Sequence, residues 1–335
     1  MEPAAKTRPA KPLFSILTPC YNARPYLRAT YESLCAQTVA DWEWIVADDG
    51  SSDGGPELVQ ELAEADPRVV LLRCPRAGRP APGRNAALRE ARGEFIALLD
   101  ADDLFEPAKL ERQLATLRAH PDAGTYHEME SFWSEETGLA GTPPNGWQRE
   151  PLDAASFDEL LVRGNFVPTS SIAVRRELVT PETFMDEAPE YRGMEDYDFV
   201  LRFARTHRWL RVAGSLGRYR VHHNSLWSSA NRAPEERMRK LDAVVAMLRR
   251  QGHLTGPGAA KFLSKHHLLR AESLLWRGDG ACRRDFALTV RNDPANPRRW
   301  LGLLAWVLPL GWFRAFYFAV RSRISGLPAA DPLAR

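Results

Sequence analysis

The stretch FIALLDADD, residues 95–103, joins a short apolar run to three closely spaced carboxylates. The apolar part is typical of a buried strand. Three carboxylates at one strand end repel one another unless a cation lies among them, and Mg²⁺ and Mn²⁺ favour carboxylate oxygens. The alternative is an acidic turn in which Asp100 ends the strand and Asp102 or Asp103 caps a helix that begins near Pro107. This motif alone favours neither interpretation.

The composition excludes several classes of protein. At 335 residues the chain can hold a full α/β domain and a further region. A formal net charge of +2 does not favour nucleic-acid binding. The first twelve residues are polar and lack the apolar core of a signal peptide, so we expect a disordered tail at 1–12 in a cytoplasmic protein. Four cysteines lie far apart without metal-ligand spacing, which is typical of reduced thiols: Cys20, Cys35, Cys74 and Cys282.

From residue 14 to about residue 126, strand-like and helix-like segments alternate at the spacing of an α/β protein. Apolar runs predict strands at 14–17, 44–47, 69–72 and 95–99, and helices lie between them. We therefore predict a mostly parallel sheet with helices on both faces. Ligands of such sheets lie at the carboxyl ends of the strands, where the acidic residues of this chain also lie.

The remainder of the chain is less regular at first and then entirely helical. A loop is predicted at 130–150, a strand at 171–174 and a helix at 195–205, followed by helices at 259–276 and 280–290. The last two could form one tetratricopeptide-type unit, but a single copy lacks the neighbours that such repeats need, so a helical cap is the better interpretation.

Four motifs in order carry a family resemblance: ILTPCYN at 16–22, VADDGS at 46–51, GRNAA at 83–87 and LDADD at 99–103. Together they resemble the family-2 glycosyltransferases of the GT-A fold, over about residues 13–225. The resemblance implies a GT-A-type nucleotide-sugar-binding domain at 13–230, with a nucleotide half at 13–127 and an acceptor half at 128–230. A helical region at 231–296 and an apolar, aromatic helix at 297–325 follow.

The resemblance implies a donor site built from several strand ends. Pro19 and Tyr21 follow the first strand, and Tyr21 is expected to pack on the nucleobase, most often uracil in this family. Asp49 would accept the N–H of the base, while Ser52 and Asp53 cap the next helix. Turn and cap roles alone are the alternative for this segment.

The GRN motif and the first carboxylate after the fourth strand complete the predicted nucleotide site. Arg84 precedes a helical run, where backbone N–H groups favour anions. The resemblance implies that this arginine lies against the nucleotide, at the base or phosphate region. Asp100 would reach the ribose, or the metal through water. Three other arginines are interpreted as surface residues: Arg76, Arg79 and Arg89.

Asp102 is the predicted metal ligand, and Asp103 supports the loop. The resemblance adds His222, which would complete the metal site or contact the diphosphate. His223 would face the other way, because adjacent strand residues point to opposite faces. A bound Mg²⁺ or Mn²⁺ would neutralise charge on the nucleoside diphosphate as it leaves.

The segment EDYD at 195–198 matches the acidic pair of the family. By that similarity Asp196 is the general base for the acceptor hydroxyl, and Glu195 shapes the acceptor pocket. A positioned base contributes roughly 10²- to 10⁴-fold in rate. The alternative is that both acids only complement the dipole of the helix that they begin.

The prediction is therefore an inverting, metal-dependent glycosyltransferase. It would move a sugar from a UDP-linked donor to a hydroxyl of a glycan or lipid-linked acceptor in cell-surface polysaccharide biosynthesis. One alternative is a non-catalytic nucleotide-sugar or glycan-binding protein on the same fold. A nucleotidyltransferase is disfavoured, because residues 19–24 are not a glycine-rich phosphate loop, and the absence of GxGxxG argues equally against a dehydrogenase.

The run at 300–313 carries no charged residue, and arginines flank it on both sides. It is shorter than the roughly twenty residues that a spanning helix needs, and Pro309 interrupts it. Its tryptophans suit a segment at the membrane interface. A core helix packed on the domain is the alternative, and we favour attachment at the cytoplasmic face of the inner membrane.

Overall fold

The computed structural model describes residues 11–137, 152–180, 184–189, 193–222 and 234–325. The chain divides into two compact units, Met1–His223 and Asn224–Arg335. The predicted tail at 1–12 and loop at 130–150 lie largely outside the described residues, as does His223.

A single sheet organises the first unit. Its strands, in the part of the chain that the structure describes, are β1 (Phe14–Cys20), β2 (Trp42–Asp48), β3 (Val69–Arg73), β4 (Phe95–Leu98), β5 (Leu104–Phe105), β6 (Ala123–Trp133), β7 (Ala154–Ala155), β8 (Ala173–Arg175) and β9 (Arg208–Val221). The strand order is β3-β2-β1-β4-β8-β6-β9-β5, and β7 pairs with β9.

The first four strands run parallel, and so do β6 and β9. Most paired residues are therefore in parallel ladders, which confirms the predicted mostly parallel sheet. Cys20 is opposite Asp48, and Leu17 is opposite Leu98. The carboxyl ends of β1, β2 and β4 thus share one edge of the sheet, here called the donor edge. Strand β1 continues through Pro19 to Cys20, beyond the predicted strand at 14–17.

The helices of this unit are α1 (Arg24–Cys35), α2 (Gly55–Ala65), α3 (Pro80–Glu90), α4 (Lys109–Ala119), α5 (Phe157–Arg163) and α6 (Glu195–Phe203). The first three carry proline in their first turn, where the missing N–H costs nothing. Helix α4 has Ala108 at its N-cap and no side-chain cap. The interpretation of Asp102 or Asp103 as the cap of this helix is therefore wrong.

The strands that form the donor edge pack in a hydrophobic core on both faces of the sheet. Alternate residues of β1, β2 and β4 enter one hydrophobic cluster with helix α1, among them Ile16, Trp44 and Ala97. Residues of the other face, such as Ile45 and Leu98, are also fully buried. A sheet covered on both faces is the usual arrangement for parallel strands.

The second unit is helical, with helices Pro234–Arg250, Gly256–Trp276, Cys282–Asn292, Pro297–Trp300 and Leu310–Ser325. The apolar run at 300–313 is not one helix, because a 3₁₀ segment ends at Trp306 and a new helix begins after Pro309. Phe313 and Tyr317 pack in the core of this unit against Phe286. Among the described helices none is long and apolar enough to cross a membrane.

Candidate active site

The acidic turn after β4 is tied to two distant segments. The buried Asp103 carboxylate accepts the Ser170 hydroxyl at 2.6 Å and the Arg220 backbone N–H at 3.1 Å. The same hydroxyl oxygen accepts the Asp100 N–H at 3.0 Å. Burial, with the nearby acids Asp102 and Asp100, raises the pKa of Asp103 well above its ordinary value. Asp103 thus fixes the turn from inside, in the manner predicted for it.

Asp102 and His222 lie 120 residues apart in the chain but are in contact. The Nε2 atom of His222 is 2.8 Å from the Asp102 carboxylate. Two further contacts hold the pair: Arg220 Nε donates to the Asp102 carbonyl at 2.8 Å, and the Tyr26 ring packs against the His222 ring. The two residues predicted to bind metal are therefore brought together at the donor edge.

Arg84 is buried, with only 4% of its surface exposed. One guanidinium nitrogen donates to the Asp100 carboxylate, and another lies 4.0 Å from the Glu195 carboxylate. Burial lowers the pKa of Arg84, but Asp100 and Glu195 together raise it above its ordinary value. A further guanidinium contact is to the Met185 sulfur at 3.7 Å. Arg84 connects the acidic turn to the first turn of α6.

Asp196 is half-buried at the start of α6 and is held by three donors. One carboxylate oxygen accepts Asn165 Nδ2 at 3.2 Å and Thr169 Oγ1 at 3.0 Å. The other accepts the Tyr197 N–H at 2.7 Å. A carboxylate that is oriented and still partly exposed is suited to accept a proton from a bound hydroxyl.

Glu195 differs from its neighbour because it is almost fully buried. Its carboxylate accepts the Met194 N–H at 2.9 Å. Burial raises the pKa of Glu195 above its ordinary value, although Arg84 acts in the opposite direction. Within this acidic pair, Asp196 is thus the more accessible member.

The two acids that follow β2 have separate roles. Asp48 accepts the N–H groups of Gly50 and Ser51 and so shapes the turn. Asp49 instead accepts the N–H groups of Ala77 and Gly78, on the loop after β3. The predicted base-binding residue thus faces that loop.

Asp53 holds the start of two helices at once. Its carboxylate accepts the Arg24 N–H of α1 at 2.7 Å and the Gly55 N–H of α2 at 2.9 Å. Ser52, the other predicted cap, instead donates its N–H to the Asn22 side chain at 2.9 Å. The N-cap of α2 is Gly54, without a side-chain cap, so the predicted cap at Ser52 and Asp53 is wrong, although Asp53 does bind the first N–H groups of both helices.

Tyr21 is 47% exposed beyond the end of β1, and the Arg76 guanidinium lies over its ring, 3.4 Å from the centroid. Arg76 Nε is also 4.0 Å from the Asp49 carboxylate. Pro19, inside β1, packs beneath Gly83 of α3. The interpretation of Arg76 as a surface residue without a role missed these contacts.

Comparison with known proteins identifies the family. The model of the glycosyl transferase family 2 matches residues 15–177. The glycosyltransferase TuaG of Bacillus subtilis, named for teichuronic acid biosynthesis, is 30% identical over 186 residues, which are 56% of this chain and 69% of TuaG. The chain belongs to the family-2 glycosyltransferases.

Solved structures of glycosyltransferases share the fold. Staphylococcus aureus TarS 1–349 in complex with UDP-GlcNAc aligns with a TM-score of 0.62 at 18% identity, over 95% of this chain and 93% of that one. The mannosyltransferase PcManGT of Pyrobaculum calidifontis, in complex with GDP-Man and Mn²⁺, aligns with a TM-score of 0.56 at 16% identity, over 97% and 85%. The family and fold predicted from the four motifs are thus confirmed, while the role of each site residue stays a prediction.

A divalent cation fits this family-2 site only if the protein and the substrate coordinate it together. The described ranges contain no group of three or more His, Cys, Asp or Glu side chains arranged to hold a metal ion. Asp102 and His222 offer two ligands, and Mg²⁺ commonly completes its shell with water and substrate phosphates. The donor set therefore fits a cation held jointly with a diphosphate.

Several residues of the site were not found from the sequence. Ser170, Asn165 and Thr169 orient the acids, yet they belong to no motif. Hydroxyl and amide side chains are common in loops, so nothing local marked these three. These residues precede strand β8, which pairs with β4. Only the order of strands in the sheet shows that this places them at the donor edge.

Proposed function

We propose that this family-2 enzyme is an inverting, divalent-cation-dependent transferase that uses a UDP-linked sugar. One observation carries the proposal, and it concerns Arg84. This arginine donates to Asp100 in the acidic turn and lies 4.0 Å from Glu195, the neighbour of the candidate base. The groups that we assign to the donor and those that we assign to the acceptor would then be adjacent. The complexes of TarS with UDP-GlcNAc and of PcManGT with GDP-Man support a nucleotide-sugar donor.

On the donor side, Asp102 and His222 would hold Mg²⁺ or Mn²⁺. When bound, the cation would neutralise the charge of the diphosphate leaving group. Tyr21 and Asp49 are assigned to the base, with Pro19 beneath them, and Asp100 to the ribose. The fixed geometry of Asp100, between Arg84 and Ser170, is what a ribose-positioning carboxylate requires.

On the acceptor side, Asp196 would take the proton of the acceptor hydroxyl as that oxygen bonds to the anomeric carbon. The bond from this carbon to the diphosphate oxygen breaks in the same displacement, which inverts the configuration. Asn165 and Thr169 hold the Asp196 carboxylate in a single orientation for this step. Glu195, behind it, shapes the pocket and keeps Arg84 in place.

The acceptor class and the place of action belong to the same proposal. The name of TuaG supports a cell-surface polysaccharide or its lipid-linked precursor as acceptor. Such precursors are made at the cytoplasmic face of the membrane, and we place this enzyme there. The sugar would be chosen by loops around 130–168, part of which lies outside the described residues.

The segment 297–325 supports contact with an anionic lipid surface. It contains five arginines and no acidic residue. Trp306 is 60% exposed and Trp312 is 78% exposed, and Trp side chains favour the headgroup level of a bilayer. Flotation with vesicles tests this contact: the protein should bind vesicles rich in phosphatidylglycerol, and Trp306→Ser with Trp312→Ser should reduce binding. Equal binding of the variant would contradict it.

Calorimetric titration with UDP, GDP, CDP and TDP, each with and without Mn²⁺, tests the donor site. We expect Mn²⁺-dependent binding of UDP that Asp102→Ala abolishes. Asp122→Ala is the matched control. Strand β6 runs in the same direction as β4, so it begins at the edge opposite the donor edge. Asp122 is an exposed carboxylate directly before β6 and therefore lies at that opposite edge. The absence of binding under every condition would overturn the proposal.

A further inference from the structure

Arg76 lies in a loop at the donor edge and was interpreted from the sequence as a surface arginine. The structure places it against both predicted base-binding residues, Tyr21 and Asp49. Its guanidinium covers the Tyr21 ring and its Nε lies 4.0 Å from the Asp49 carboxylate. An exposed tyrosine, an exposed arginine and a largely buried carboxylate thus meet beyond the ends of β1 and β2.

The loop that carries Arg76 is held at several points. Cys74 N–H donates to the Asp48 carbonyl at 2.8 Å, which extends the pairing of β3 with β2. Ala77 and Gly78 donate to Asp49 directly after Arg76. Further along, Arg79 Nε donates to the Glu187 carbonyl at 2.9 Å. The loop therefore has a defined path on both sides of Arg76.

The stem of Arg76 is also confined. It lies over Gly50, where an added Cβ would be 3.5 Å from both Cβ and Cδ of Arg76. Gly50 adopts φ +75°, a conformation that side-chain-bearing residues rarely take. The turn after β2 thus packs against this stem, and the planar guanidinium lies on Tyr21, where arginine stacks well on an aromatic face.

We propose that Arg76 is a base-specificity residue of the nucleotide site, acting with Asp49 to select bases that present an N–H beside a carbonyl oxygen. This inference rests on the proposed function. Asp49 can accept the ring N–H, and the Arg76 guanidinium can donate to the neighbouring carbonyl. Uracil, thymine and guanine carry this pair of groups.

Cytosine and adenine present the opposite pattern at that edge. Their ring nitrogen is an acceptor that faces the Asp49 carboxylate, and their amino group is a donor that faces the Arg76 guanidinium. Both contacts are then mismatched, and a polar group left unpaired on binding costs affinity. The pair therefore discriminates UDP from CDP, two ligands whose ribose and diphosphate are the same.

The test compares UDP, uridine and CDP on four proteins by titration calorimetry with Mn²⁺: wild type, Arg76→Ala, Arg76→Lys and the control Arg73→Ala. Arg73 is exposed at the end of β3 and pairs with Glu57 at 3.6 Å. We expect Arg76→Ala to weaken UDP and uridine binding alike, by about tenfold or more, the value of one good base contact. CDP binding should change little, so that the ratio of UDP to CDP affinity collapses. Arg73→Ala should behave as wild type.

Other results overturn the inference in distinguishable ways. Weaker binding of UDP with unchanged binding of uridine would place Arg76 at the phosphates instead of the base. An unchanged ratio of UDP to CDP affinity in Arg76→Ala would remove its role in selection, while the donor site itself stands. No nucleotide binding by the wild type would overturn both this inference and the proposed function. Arg76→Lys keeps the charge but not the planar fork, so recovery of wild-type selectivity in it would also contradict the assignment.

Discussion

Two clusters of carboxylates in this molecule differ in how their charge is balanced. In the helical unit, Arg270 contacts Asp242 at 2.7 Å and Asp285 at 3.2 Å. Each of these acids also contacts a histidine, His266 at 3.1 Å and His267 at 2.8 Å. The network joins three helices and pairs every acid in it with a cationic or hydrogen-bonding partner, as structural ion networks do.

The donor edge has a different balance. Three acids follow β4 and two begin α6, and Arg84 is shared between the groups. Burial and the neighbouring Asp102 raise the pKa of Asp100, although Arg84 lowers it. Buried carboxylates held close together are costly unless a ligand compensates them, so they are typical of functional sites. Charge balance, more than the number of acids, thus separates a binding site from a structural network.

The largest effect expected from this contrast is on catalysis. Asp196→Asn should lower sugar transfer by roughly 10²- to 10⁴-fold, because the amide cannot accept the acceptor proton. Binding of UDP with Mn²⁺ should be unchanged, since Asp196 is assigned to the acceptor. The measurement is transfer rate at saturating donor, beside Asp158→Asn in the exposed first turn of α5 as control. A loss smaller than tenfold would assign the proton to another group.

Stability should respond in the opposite sense at the two clusters. Asp285→Ala should lower the free energy of unfolding by about 1–3 kcal/mol, because it removes the buried carboxylate that contacts both His267 and Arg270. Asp102→Ala should leave stability unchanged or raise it, since it removes a charge that opposes ionisation of Asp100 and Asp103. Urea denaturation at pH 7 measures both. An equal loss at Asp102 would mean that the acidic turn is also a structural network.

The smallest effect concerns acid stability, where the two units should behave alike. Burial lowers the pKa of His127 from 6.5 to about 3 and that of His266 from 6.5 to about 4. Below pH 6.5 the unfolded chain binds a proton that the folded protein does not, so stability is complete above this pH and is lost as the pH falls. The loss is about 1.4 kcal/mol per pH unit for each histidine.

Urea denaturation between pH 7 and pH 5 checks this slope. Each of two variants, His127→Gln in the sheet unit and His266→Gln in the helical unit, should reduce the slope of unfolding free energy against pH. The reduction should be that of one bound proton, about 1.4 kcal/mol per pH unit. His120, exposed at the end of α4, supplies the control His120→Gln. A slope that stays the same in both variants would show that these histidines are protonated in the folded state.

Local sequence was sufficient to predict many of the strands and helices. The spacing of apolar residues along the chain shows which side of each element is buried. The strands that end in Asp48 and near Asp100 were predicted within a few residues, and parallel order placed their ends together. The acidic motifs therefore led to the correct edge and, by resemblance, to the family. The extension of β1 through Pro19 was missed, since proline usually ends a strand and here it lies within one.

The local sequence does not predict the contacts of the two arginines at the donor edge, Arg84 and Arg76. Arg84 and Arg76 lie eight residues apart in a Pro- and Gly-rich loop and helix start, and no local signal says which one is buried. Arg84 is buried where Asp100, in the turn after β4, and Glu195, in α6, approach it from two segments. Arg76 lies on Tyr21, and its stem packs against Gly50 in the turn after β2. The order of residues determined the strands, their acidic ends and the family, since these depend on neighbours in the chain. Which side chains meet at the site was decided only by the tertiary structure, because those contacts join segments that the sequence separates.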